Sequence, residues 1–155
     1  MEASGVVITH PNRDKAESKA TKAAVVLLLL TSTGLIAVIT AGGWEALQGA
    51  QIVAIGWAFV YGMSAFYVAR WNRGILPVAA ALAIIFAVIA AVAGPAWFER
   101  DKEGFNDPAL PPGILGLLTL IVVPVQVLLI AFAMRGFRQE WNVEVEVKRD
   151  EHHVA

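Results

Sequence analysis

Four apolar runs fill most of this chain, and none of them holds an Asp, Glu, Lys, Arg or His. They are Ala23–Ala41, Ala50–Ala69, Ile75–Ala93 and Ile114–Met134. At a rise of about 1.5 Å per residue, each is long enough to cross a hydrocarbon layer about 30 Å thick. In such a layer every backbone N–H and C=O must find its partner within the protein, which selects the α-helix for a single apolar run. The expected fold is therefore all-α: an integral membrane protein with four transmembrane helices and both termini in the cytoplasm. Residues 1–22 read as a basic N-terminal segment and 23–134 as the bundle, with an outer loop over 94–113. Residues 135–155 read as a C-terminal tail.

With 155 residues, 57% of them hydrophobic and 16% charged, the chain has room for one bundle and two short tails. A net charge of −1 speaks against nucleic acid as a partner. The absence of cysteine excludes disulfides, thiol catalysis and thiolate metal sites. The first run is longer than the apolar part of a signal peptide and lacks a small-x-small site around Ile39–Ala41, so it reads as a retained anchor.

Basic residues sort by connection. Arg13, Lys15, Lys19 and Lys22 precede the first span, Arg70 and Arg73 lie between spans 2 and 3, and Arg135, Arg138, Lys148 and Arg149 follow the fourth. The opposite side carries only Arg100 and Lys102, set among acidic residues. The positive-inside rule then predicts a multi-pass protein of the cell (inner) membrane, N-in and C-in. Trp44, Trp97 and Phe98 fall at the outer interface, and Tyr67, Trp71, Phe137 and Trp141 at the inner one, where amphipathic rings settle.

Between helices in lipid, close backbone approach replaces much of the hydrophobic force. Span 3 carries Ala79, Ala83, Ala87 and Ala91, and span 2 carries Ala54, Ala58 and Gly62, each set at four-residue spacing. These two strips predict that spans 2 and 3 meet closely. Pro77 falls in a first turn, where its missing N–H costs little. Pro124 falls mid-span and predicts a kink.

Neutral polar residues gather at mid-depth: Thr31, Ser32 and Thr33 in span 1, Tyr61 and Ser64 in span 2, Thr119 and Gln126 in span 4. The plain reading is interhelical or back-bonded hydrogen bonding. The sharper reading is a shallow polar pocket formed by Thr31, Ser32, Tyr61, Ser64 and Gln126, accepting a quinone head, a lipid carbonyl or a small neutral solute. All three histidines, His10, His152 and His153, lie outside the spans, so no haem ligand comes from a span. No carboxylate at depth offers a proton relay. No cofactor, metal or catalytic residue is expected. The acidic cluster Asp101, Glu103, Asn106 and Asp107 misses the spacing of a calcium loop.

The outer loop is rich in proline and aromatic residues, and Trp97, Phe98, Arg100 and Phe105 are its candidates for docking a partner. In the tails, Val143–Lys148 alternates apolar and charged residues and Val6–Thr9 is β-branched, so the two are expected to pair as strands or to extend a partner's sheet. Asn12 or Asp14 is expected to cap a helix running into span 1.

In size and topology the chain resembles small accessory subunits of bacterial respiratory complexes. The resemblance implies a non-catalytic structural subunit of a multi-subunit membrane complex, with other integral membrane subunits and lipids as partners. The alternative is a small oligomeric transporter or channel for a neutral solute.

Overall fold

Each apolar run forms one helix, and three of the four run past the apolar stretch into the flanking polar residues. A computed structural model describes residues 5–100 and 108–148. It contains α1 (Ala16–Gly42), α2 (Gln51–Ala69), α3 (Ile75–Glu99) and α4 (Pro112–Arg138). All four are long and apolar enough to cross a membrane, which points to a multi-pass membrane protein. The outward surface fits that reading. Leu27, Ile52, Phe59 and Val92 are all more than half exposed, spread over α1, α2 and α3.

Two short strands, β1 (Val6–Thr9) and β2 (Val145–Lys148), pair antiparallel with Val6 opposite Lys148 and Thr9 opposite Val145. The tails thus form the expected ribbon. Both strands therefore lie at one end of the bundle, called the tail end below. The opposite, loop end carries the α1–α2 and α3–α4 connections.

The packing differs from the expectation at one seam. α3 packs most extensively on α4, α1 packs on both α2 and α4, and α2 meets α3 only sparingly. The small residues of α3 serve α4 instead. Gly94 lies against Leu120, Gly116 against the Phe98 ring and Gly136 against Leu76. Glycine and alanine let these backbones approach. The four-residue strip also drifts. At about 100° per residue a step of four residues gains about 40°, so the strip winds off its face. Ala79 and Ala83 are buried, Ala87 is half-buried and Ala91 is exposed. A seven-residue step loses only about 20°. Accordingly Leu76, Ala83, Ala90 and Trp97 are all buried. On α2, Ala54 and Ala58 are half-buried facing α1, and a Cβ at Gly62 would meet open space.

Other boundaries move for local reasons. α3 continues through Gly94 and Pro95 to Glu99, so the loop begins at Arg100 rather than at residue 94. α4 runs unbroken through Pro124. Neither Asn12 nor Asp14 caps α1. A 3-10 turn occupies Pro11–Arg13, Lys15 takes the cap position, and the Asn12 amide donates instead to the Glu140 carbonyl at 2.9 Å.

The tail end is clasped. Arg13 Nε donates to the Trp141 carbonyl at 2.9 Å, Lys22 Nζ to the Ala69 carbonyl at 3.2 Å and Arg73 Nε to the Phe137 carbonyl at 2.7 Å. Trp141 is fully buried and meets Trp71 edge-on at 5.1 Å. Trp71 closes α2 in a left-handed conformation, φ 67°, with its own N–H on the Val68 carbonyl and the Asn72 N–H on the Tyr67 carbonyl. Glycine ordinarily fills that place in this motif. Trp71 holds it because its ring is gripped from two sides: by Trp141 and by the Lys22 ammonium, 4.2 Å from its centre.

Candidate functional site

Three helices bring one polar side chain each to the middle of the bundle. Ser32 comes from α1, Tyr61 from α2 and Gln126 from α4, and all three are fully buried. Each sits in the seven-residue pattern that faces the core: Val25, Ser32 and Ile36; Tyr61, Ser64 and Val68; Thr119, Gln126 and Ala133. Sequence spacing alone thus aims them at one another.

They form one chain of hydrogen bonds. The Tyr61 hydroxyl donates to Gln126 Oε1 at 2.7 Å, and Gln126 Nε2 donates to Ser32 Oγ at 2.9 Å. Ser32 in turn donates to the Leu28 carbonyl at 2.8 Å. The directions are fixed by chemistry. Ser32 spends its proton on a carbonyl, so it accepts from the amide nitrogen, which leaves the amide oxygen for tyrosine. An amide in hydrocarbon without such partners would cost several kcal/mol, and here both its ends are engaged.

The other polar residues expected at this depth do not join. Thr31 faces outward and is exposed. Ser64 is buried but donates to the Val60 carbonyl of its own helix at 2.7 Å. Thr33 and Thr119 likewise bond back to Leu29 and Leu115. Of the five residues of the expected pocket, the structure gathers Ser32, Tyr61 and Gln126.

Toward the loop end the polar chain borders an apolar cleft of about 220 Å³. It exists because α2 and α3 stand apart there. Trp57, Tyr61 and Phe86 meet ring against ring, with centroids 5.7–6.4 Å apart, and they wedge the two helices. The cleft wall is almost wholly hydrocarbon: Ile36, Val53, Phe86, Ile89 and Val122. The indole nitrogen of Trp57 is the one buried side-chain polar atom with no partner at hydrogen-bond geometry among the described residues. Trp57 and Phe86 were not singled out in the sequence. The signal was present, since Ala54, Trp57, Tyr61, Ser64 and Val68 alternate steps of three and four along one face.

The expected docking surface is rearranged. Trp97 is 7% exposed and lies against Gly43, so it is part of the core and not available to a partner. It was expected in the outer loop over 94–113, whereas α3 continues through Gly94 and Pro95 to Glu99. Phe98 is 44% exposed and covers Gly116. Arg100 is half-buried at the end of α3. Phe105, the acidic cluster of that loop, and His152 and His153 lie outside the described residues.

The polar chain is neutral and self-satisfied, and among the described residues no three His, Asp or Glu side chains converge as a metal site would require. No family model, curated protein or solved structure matches this chain.

Proposed function

We propose that the chain is a non-catalytic structural subunit of a larger membrane assembly, set in the cell membrane with both tails in the cytoplasm. The orientation follows from the basic residues that crowd the tail end. The assembly we assign it to is an electron-transport complex of bacterial type, on the grounds of size and topology. Its partners are other integral membrane subunits and lipids.

The contrast between the two ends of the bundle carries this reading. The tail end is locked by buried rings and by side chains bonded to backbone carbonyls. The middle is closed by a neutral polar chain. The loop half of α2, which lines the cleft, exposes Ile52 at 80% and Phe59 at 67%, and α1, α3 and α4 present further exposed apolar residues such as Leu27, Val92 and Leu117. A rigid body with an inert interior and an open apolar flank suits a buttress. Passage of a solute through the chain would require polar groups free to face it, whereas Ser32, Tyr61 and Gln126 are spent on one another.

Membranes with and without the chain test the proposal. Loss of the chain is expected to lower recovery of the intact complex on native electrophoresis, while turnover per assembled complex stays the same. A complex that assembles fully without the chain, or one whose turnover falls while assembly is intact, would overturn it.

A further inference from the structure

A second recess opens at the tail end, between the start of α1 and the end of α4, with a volume of about 790 Å³. Its α4 wall is ordered along the helix. Ile130, Ala131 and Met134 come first, and Arg135 and Arg138 follow toward the tail. Residues four apart share a face, so Ala131 leads to Arg135, and Ile130 through Met134 to Arg138. The wall therefore passes from hydrocarbon to guanidinium along the direction that leads out of the membrane. Lys15, just before α1, lines the other wall.

Three other cations at this end are already occupied. Arg13, Lys22 and Arg73 are engaged with carbonyls and rings. Lys15, Arg135 and Arg138 make no ion pair or side-chain hydrogen bond among the described residues. Two carboxylates, Glu17 and Glu140, also line the recess, so three cations face two anions and a positive excess remains. Ser18 also lies in the wall, at 1% exposure. The recess thus pairs a rim with a net positive excess with a partly apolar floor at the level where a helix leaves the bilayer.

We propose that this recess binds the phosphate headgroup of an anionic phospholipid, with the acyl chains running along Ile130 and Met134. The rim answers the phosphate, with Arg135 and Arg138 suited to its oxygens. The floor answers the glycerol backbone and first methylenes. A free phosphate would satisfy the rim but leave the floor uncovered. The inference rests on membrane insertion of the four helices and is independent of the accessory role.

The test uses the full chain in nanodiscs of equal phosphatidylglycerol and phosphatidylcholine, with retained lipid read by native mass spectrometry. Wild type is expected to retain phosphatidylglycerol over phosphatidylcholine by about tenfold, the scale set by a few juxtamembrane cations. The R135Q/R138Q pair and, from the opposite wall, K15Q should each reduce that preference severalfold. K19Q, exposed and outside the recess, should not. Circular dichroism checks folding, and K15Q decides if the arginine pair fails to fold. No preference in wild type, or one that survives in the variants, overturns the proposal. Release of the lipid by excess inorganic phosphate would assign the site to a free anion and overturn the lipid reading. Carbonate extraction reports insertion separately, since a chain released to the supernatant fails at that earlier step.

Discussion

The Tyr61 hydroxyl and the Gln126 amide oxygen lie 2.7 Å apart at the centre of the bundle, joining α2 to α4 across 65 positions of sequence. Gln126 also reaches Ser32, so one side chain ties three helices together. α3 contributes no polar side chain to this layer and is held by small-residue packing on α4. The bundle therefore uses two kinds of adhesion at once: directional bonds where α1, α2 and α4 meet, and close backbone approach where α3 and α4 meet.

Removing the amide should loosen three helices together. Gln126→Leu leaves the Tyr61 hydroxyl without an acceptor and is expected to cost about 1–2 kcal/mol. Tyr61→Phe leaves the amide oxygen bare and should cost a similar amount. The double variant should cost less than the sum, with a coupling of about 0.5–1.5 kcal/mol. Unfolding of the four proteins in detergent micelles measures this cycle. Additive losses would mean that the bond contributes nothing.

Gly136 and Gly62 should respond in opposite ways to alanine. A Cβ at Gly136 would stand 3.0 Å from the Trp141 ring and 3.1 Å from Leu76, both fully buried and without room to move. Gly136→Ala is expected to destabilise by about 1–3 kcal/mol through overpacking. At Gly62 the added methyl meets open space. Gly62→Ala should be neutral or stabilising by up to about 1 kcal/mol, because alanine favours the helix. Thermal melts of the two variants in the same detergent make the comparison.

Trp71 offers an inverted order of severity. Both Trp71→Ala and Trp71→Gly lose the Lys22 and Trp141 contacts. Alanine keeps the left-handed backbone penalty of about 1–2 kcal/mol, and glycine removes it. The glycine variant should therefore melt higher than the alanine variant, although both melt below wild type. The usual ranking, in which glycine is the worse substitution, would refute the left-handed closure of α2.

Arg73 should not tolerate lysine. Its guanidinium lies 3.7 Å from the centre of the Phe137 ring while Nε donates to the Phe137 carbonyl. Lysine provides no planar group for both tasks. Arg73→Lys is expected to cost about 1 kcal/mol, read by the same melts, and to raise hydrogen exchange in the α2–α3 turn.

The sequence discloses the four helices because lipid leaves an apolar run few alternatives, and strand pairing of the tails was legible in the alternation of Val143–Lys148. The neighbour relations were harder to read. Alanine is spread so widely over α3 that a four-residue strip could be drawn toward α2, whereas the seven-residue repeat of Leu76, Ala83, Ala90 and Trp97 marks the buried face. Gly94–Pro95 carried the signature of a helix end, yet packing of Trp97 against Gly43 and of Phe98 against Gly116 carries the helix past it. The polar site was half legible. Depth placed seven polar residues at one level, but rotation decided which faced inward, so Thr31 turned outward while Ser32, its neighbour, entered the core. The clasp of Arg13, Lys22, Arg73 and Trp141 depends on backbone carbonyls distant in sequence, and residue type alone does not announce those acceptors.

The intact mass of the particle that carries this chain, taken from native membranes in polymer nanodiscs without detergent, tests the structural-subunit reading most directly. The account predicts a particle containing other integral membrane proteins in fixed ratio to this chain. A particle made only of copies of this chain would contradict it.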